Sequence, residues 1–366
     1  MKIGILTYPL NNNYGCYLQS YALLTFLKEK GYNAEYIYRR HDKPSFVFYL
    51  KYAVKKIINR QWHDIIYDYE KNYMRDKGLL IYPFFENNIV PHTAPIYNSH
   101  TLAKVVSRYD VVIVGSDQVW RAEILTNIGD YFLDFAKAEK PIRISYAASF
   151  GKDDPNFTQK QKDICGKALT KFKAVSLRED AGVNTIRRYG WKIANCRVVL
   201  DPTMFLSKDH YLSLLQDKGA DHSVFGYILD QTESKLNILD MVSKMIGAES
   251  INILKDCNNV SFEYPPVQEW LSAINNAIFV VTDSFHGAVF SILFNKPFAV
   301  IINKERGAAR FDTLLNTFNL RSRIVESSDD ISGVLNNPID WDEVNAVLEK
   351  KRKESADFLL SALENN

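Results

Sequence analysis

Short, unbroken apolar runs recur along the chain, each ending in a polar or glycine-containing turn. The first occupies residues 3–7 and breaks at Pro9 and the Asn11-Asn12-Asn13 loop. Beyond Gly15 the spacing becomes helical, with Leu18, Tyr21, Ala22, Thr25 and Phe26 on one face. Gly31 supplies a stop signal, and residues 34–38 form the next apolar run. A strand–helix–strand opening of this kind predicts a parallel sheet covered by helices.

Runs at 110–114, 143–147, 174–177 and 198–200 extend this series, and a second series begins at 225–229, continuing at 251–254, 278–282 and 298–302. Residues 207–222 between them are polar with one short helix. They read as a linker between an N-terminal Rossmann-like domain over 1–206 and a C-terminal one over 223–340. The stretch 39–100 has no clean period and is rich in Tyr, Phe and His, so it is expected to be a helical insertion, a lid or an acceptor-side element. A terminal helix is predicted over 341–366: Asp340 can cap it, with Glu343 three residues on and Ile339 and Val344 as a hydrophobic staple. Asp340-Trp341-Asp342 also matches the DxD pattern of metal-dependent sugar transferases, but its place at a helix start favours capping.

Composition narrows the function classes. A net charge of +2 gives no field that would argue for nucleic acid as a partner. No apolar run reaches the roughly 18 residues that a membrane helix needs, and the opening apolar stretch is too short for a signal peptide. The cytoplasm is the expected compartment, with peripheral attachment at the inner face of the membrane left open. Cys16, Cys165, Cys196 and Cys257 are isolated in sequence and suggest neither a zinc site nor a disulfide frame.

In open α/β sheets ligands bind beyond the carboxyl ends of the strands, where helix N-termini offer N–H groups to anions. Four turns qualify. The first, residues 7–15, carries Asn13 and Gly15 into a helix, as a tight β–α turn or as a surface for a ligand. The second is Gly115-Ser116-Asp117-Gln118-Val119-Trp120. There Asp117 could orient or deprotonate a sugar hydroxyl while Trp120 supports the ring, with Ser116 and Gln118 beside them; Ser116 or Asp117 could equally be a helix cap.

The third turn places Arg178 directly after a strand and ahead of Glu179 and Asp180. A cation at a helix start is unfavourable unless an anion answers it, and the guanidinium fork suits a carboxylate or phosphate. An ion pair with Glu179 or Asp201 would also explain it. The fourth, Asp283-Ser284-Phe285-His286-Gly287, lies between a strand and an apolar helix. His286 is the sharpest catalytic candidate, with Asp283 holding its tautomer, Ser284 beside it and Gly287 allowing close approach.

Taken in order, GILTYPLNNNYGCYLQSYAL, VIVGSDQVW, SYAASFG, VSLRED, VVLDPT and above all VVTDSFHGAVFSILFNKPFAV resemble the polysaccharide pyruvyl transferase family, from Ile3 to about Arg321. Cys16 and Arg121 depart from residues frequent in that family. The resemblance implies a GT-B arrangement, two Rossmann-like domains facing across a cleft, with the C-terminal helix packing back on the first. It also implies phosphoenolpyruvate as donor and a sugar acceptor, lipid-linked or not, in the assembly of a polysaccharide or glycolipid precursor such as a capsule or exopolysaccharide. The product would carry pyruvate as a cyclic ketal, with Arg178 and His286 binding the donor, Ser284 and Gly287 contributing at the helix start through the N–H groups there, and no metal, nucleotide or other cofactor required. Two alternatives share the architecture: a GT-B glycosyltransferase using a nucleotide sugar, and a non-catalytic glycan-binding protein.

Overall fold

The computed structural model describes residues 1–60, 66, 80–136, 140–193, 195–215, 222–257, 261–302 and 307–364. The first apolar series folds into one parallel sheet. Its strands are Lys2–Leu6 (β1), Asn33–Tyr36 (β2), Val111–Gly115 (β3), Ile142–Ala148 (β4), Ala174–Leu177 (β5) and Cys196–Val198 (β6), in spatial order β2-β1-β3-β4-β5-β6. Every residue of β3 is buried, as an unbroken VVIVG run requires when helices cover both faces.

The second series forms Val224–Tyr227 (β7), Ser250–Asn252 (β8), Phe279–Thr282 (β11) and Phe298–Val300 (β12), a four-stranded parallel sheet in order β12-β11-β7-β8. Between β8 and β11 lies an antiparallel pair that the apolar pattern does not announce, Lys255–Cys257 (β9) with Ser261–Glu263 (β10).

Thirteen α-helices are described. The first half contains Tyr14–Glu29 (α1), Phe46–Ile58 (α2), Tyr82–Asn88 (α3), Ser99–Val106 (α4), Gln159–Leu169 (α5), Asp180–Arg188 (α6) and Lys208–Leu212 (α7). The second contains Glu233–Ile246 (α8), Val267–Asn276 (α9), Phe285–Leu293 (α10), Ala309–Thr317 (α11), Asp330–Asn336 (α12) and Trp341–Glu364 (α13). The expected insertion thus includes helices α2, α3 and the start of α4, while residues 61–65 and 67–79 of it lie outside the described residues.

Asp340 does cap α13, its Oδ1 accepting from the Glu343 N–H at 3.1 Å. That helix returns to the first half of the chain: Ser355 Oγ accepts from Leu200 N–H at 3.0 Å, and Arg352 Nε donates to Met204 O at 2.6 Å. The halves also meet through aromatic packing. Tyr14 of α1 stacks on Trp270 of α9, centroids 5.1 Å apart, and donates its hydroxyl to Pro265 O at 2.9 Å.

Strand order reverses once in each sheet, between β1 and β3 in the first and between β7 and β11 in the second. These are the points where adjacent loops part and a crevice opens.

Candidate active site

The loops leaving β1, β3, β7 and β11 all line one cavity of about 220 Å³. Tyr8, Asn11 and Asn13 come from the first loop, and Asp117, Gln118 and Arg121 from the second. Leu229 follows β7, and residues 283–286 follow β11. Both switch points therefore open into the same space, which Arg310 and Phe311 of α11 close.

His286 occupies the first turn of α10 and is 4% exposed. Its position depends on Gly15 in α1, since a Cβ there would sit 1.8 Å from the imidazole Nδ1. On the other side, Nε2 lies 3.4 Å from Asp201 Oδ2. Asp201 is the hub of the site. Its Oδ2 accepts from Arg178 at 2.8 Å and from Ser116 Oγ at 3.0 Å. Its Oδ1 caps the following turn, accepting from the N–H and Oγ1 of Thr203. Burial works against its charge, but the imidazole of His286 and the guanidinium of Arg178 hold its carboxyl well below the usual carboxylate range.

Arg178 is 3% exposed, reaches Asp117 Oδ1 at 3.4 Å as well as Asp201, and lies over the Phe285 ring at 4.5 Å. Burial opposes its charge, yet Asp201, Asp117 and Glu179 together raise its pKa above the ordinary arginine value. The ion pair that sequence offered as the alternative for Arg178 is thus formed, with Asp201 as partner. Arg178 faces a second cavity, of about 420 Å³, beyond Phe285 and toward α11 and α13, and does not line the smaller one.

Arg310 takes the place beside the smaller cavity. It sits in the first turn of α11, where the helix dipole disfavours a cation, and 5.8 Å from the Phe285 ring. Burial, followed by repulsion from Arg178, pushes its pKa down to about 10. An anion in the cavity would relieve both effects. Arg121, linked to Gln118 Oε1 at 2.7 Å, adds a further guanidinium. The acids Asp201 and Glu179 do not line this cavity. Glu179 Oε1 accepts from Ser149 Oγ and the Phe150 N–H, both at 2.9 Å, and burial raises its pKa.

The remaining sequence candidates separate clearly. Asp283 is not the partner of the imidazole. Its oxygens accept from the N–H groups of Leu229 and Asp230 and from Lys235 Nζ at 2.6 Å, tying the loop after β7 to that after β11. Ser284 caps α10 by accepting from the Gly287 N–H at 3.4 Å. Gly287 packs against Thr282, where a Cβ would lie 2.3 Å from Oγ1, so the close approach it permits is between helix and strand. Asn13 caps α1 through the Gly15 N–H at 2.9 Å.

Trp120 is not cleft-lining: it is fully buried, stacks on Phe132 and donates Nε1–H to Tyr131 O at 2.9 Å. Ser116 and Asp117 cap no α-helix but occupy consecutive left-handed conformations, φ +35° and +57°. Two such non-glycine residues in succession cost roughly 1–3 kcal/mol each and tend to mark functional turns. Here the turn directs Ser116 to Asp201 and Asp117 to Arg178.

The sequence assigned no site role to Arg310 or Arg121 and offered Asp201 only as a partner for Arg178, not as the hub. Asp201 carried a signal, since VVLDPT ends an apolar run with an acid. Arg310 carried one too, a cation in the first turn of a helix.

No curated protein matches the chain. Among solved structures, the UDP-GlcNAc 2-epimerase of Methanocaldococcus jannaschii, in complex with UDP-GlcNAc and UDP, is 14% identical, with a TM-score of 0.53 over 100% of both chains. A glycosyltransferase from Rickettsia africae is 9% identical, with a TM-score of 0.56 over 100% of this chain and 99% of its own. The UDP-GlcNAc 2-epimerase of Neisseria meningitidis, bound to UDP-GlcNAc, is 9% identical, with a TM-score of 0.55 over 100% of both chains. At such identities the likeness concerns the fold, which is GT-B. The family described as polysaccharide pyruvyl transferase matches residues 13–305, a span that takes in His286, Asp201, Arg178 and the turns after β3, β7 and β11, and the chain belongs to that family.

Proposed function

We propose that the protein transfers the pyruvate unit of phosphoenolpyruvate to two hydroxyls of a sugar, forming a cyclic ketal and releasing phosphate. The observation that carries this reading is the convergence of His286, Arg310 and Arg121 on a cavity of about 220 Å³ at both switch points. That volume is below the roughly 300–1,000 Å³ of sites for drug-sized ligands. It suits a three-carbon acid better than a nucleotide sugar. Carboxylate and phosphate would be held by Arg310 and Arg121, with the half that carries residues 223–340 as donor side and the first half as acceptor side.

In this mechanism the His286 imidazolium gives a proton to the enol carbon C3, which makes C2 electrophilic. One sugar hydroxyl adds to C2 and loses its proton to Asp117 or solvent. The C2–O bond to phosphate then breaks, and the second hydroxyl adds to C2 as its proton leaves with the phosphate. The two hydroxyl protons thus balance the methyl group formed and the phosphate released. Asp201 keeps Arg178 and His286 in register, and Arg178 fixes Asp117. The acceptor is a sugar of a polysaccharide or glycolipid precursor.

The test is incubation with phosphoenolpyruvate and a panel of glycosides, with product mass and free phosphate followed together. A pyruvate adduct formed in step with phosphate is expected. Stabilisation by nucleotide sugars and not by phosphoenolpyruvate in a thermal-shift comparison would favour a glycosyltransferase instead.

A further inference from the structure

Helix α2 has no buried residue although half of it is apolar. Phe46, Leu50, Val54 and Ile57 fall on one face at helical spacing, flanked by Val47 and Ile58, and all six are exposed, Phe46 at 82% and Ile58 at 73%. Tyr49, Tyr52, Ala53 and Lys56 on the other side are half-buried, so the helix turns its apolar face outward. A cluster of large exposed apolar side chains of this kind marks an interaction surface.

The charge along this segment is of one sign. From Lys43 to Arg60 the sequence holds Lys43, Lys51, Lys55, Lys56 and Arg60 and no acidic residue. An apolar face bordered by lysines, on a helix too short and too charged to span, lies in the plane of a membrane surface, with the ammonium groups among anionic headgroups. None of the described helices is long and apolar enough to cross a membrane. A second copy pairing α2 on α2 is a poor occupant, because the lysines of residues 43–60 would meet the same lysines, and that stretch carries no acid to answer them.

We propose that α2 docks the protein on an anionic phospholipid surface. The helix begins just beyond His41, whose ring packs edge-on against Tyr8 of the cavity at 6.3 Å. Docking would therefore hold the mouth of the cleft at the lipid surface, where an acceptor sugar carried on a lipid would be presented. The docking itself does not depend on which donor the cavity takes.

The test is flotation of the full chain with vesicles of phosphatidylcholine alone or of equal parts phosphatidylcholine and phosphatidylglycerol. Binding to the anionic vesicles only is expected, weakened by added salt. Combined Phe46→Ser, Leu50→Ser and Ile57→Ser should reduce it at least tenfold. Lys51→Glu with Lys55→Glu should do so by a comparable factor. The thermal unfolding of both variants should match the wild type, since the altered side chains are exposed. Equal binding of the serine variant and the wild type would overturn the proposal, as would equal binding to neutral vesicles. So would a concentration-dependent dimer that the serine variant abolishes while no vesicle binding is seen, which would assign the face to a second copy.

Discussion

At the scale of single residues, the two arginines do different things. Arg178 is buried between Asp201 and Asp117. Truncating one member of a buried pair leaves an uncompensated charge and costs about 3–5 kcal/mol. Arg178→Ala is therefore expected to lower stability severely, as read by denaturant unfolding. Arg310 faces the cavity, and a charge-assisted hydrogen bond is worth about 1.5–3 kcal/mol. Arg310→Ala should accordingly raise KM for phosphoenolpyruvate roughly tenfold or more; an unchanged KM would remove it from the donor site. His286→Ala should lower kcat by roughly 10²–10⁴, the worth of a placed acid, while donor binding persists. Gly15→Ala tests the same group from the other side of the cleft. With a Cβ 1.8 Å from Nδ1 the imidazole must move, and a similar fall in kcat is expected with the fold intact.

At the scale of elements, Asp201 joins the turns after β3 and β5 and the loop after β6 to the start of α10. Its folded-state pKa is depressed, so its contribution is complete above about pH 4, the ordinary aspartate range. The contribution fades as pH falls through that range toward the folded value. Asp201→Asn should cost about 3–5 kcal/mol near neutrality. The gap from the wild type should narrow on acidification, as measured by urea unfolding across pH; a gap independent of pH would contradict this. Elements were the most legible level of the sequence. Strands buried on both faces must be continuous apolar runs, so β3 and β11 stood out. The pair β9–β10 did not, because three-residue strands such as KDC and SFE carry no apolar periodicity. Trp120 misled because a Trp at a strand end looks the same whether it meets a ligand or Phe132.

At the scale of the whole molecule, two parallel sheets face each other so that their switch points share a single cavity. The positions of His286 and Asp117 near it were legible, because strand order and strand ends follow from the apolar runs. The division of labour among the charges was not. It depends on which side of Phe285 each guanidinium lies, with Arg178 behind and Arg310 in front, and no spacing along the chain encodes that. The most direct test of the central claim is calorimetric titration of phosphoenolpyruvate into the wild type and Arg310→Ala. The account predicts binding to the wild type, weakened roughly tenfold or more in the variant. Equal affinity in the two proteins, or no binding to the wild type, would contradict it.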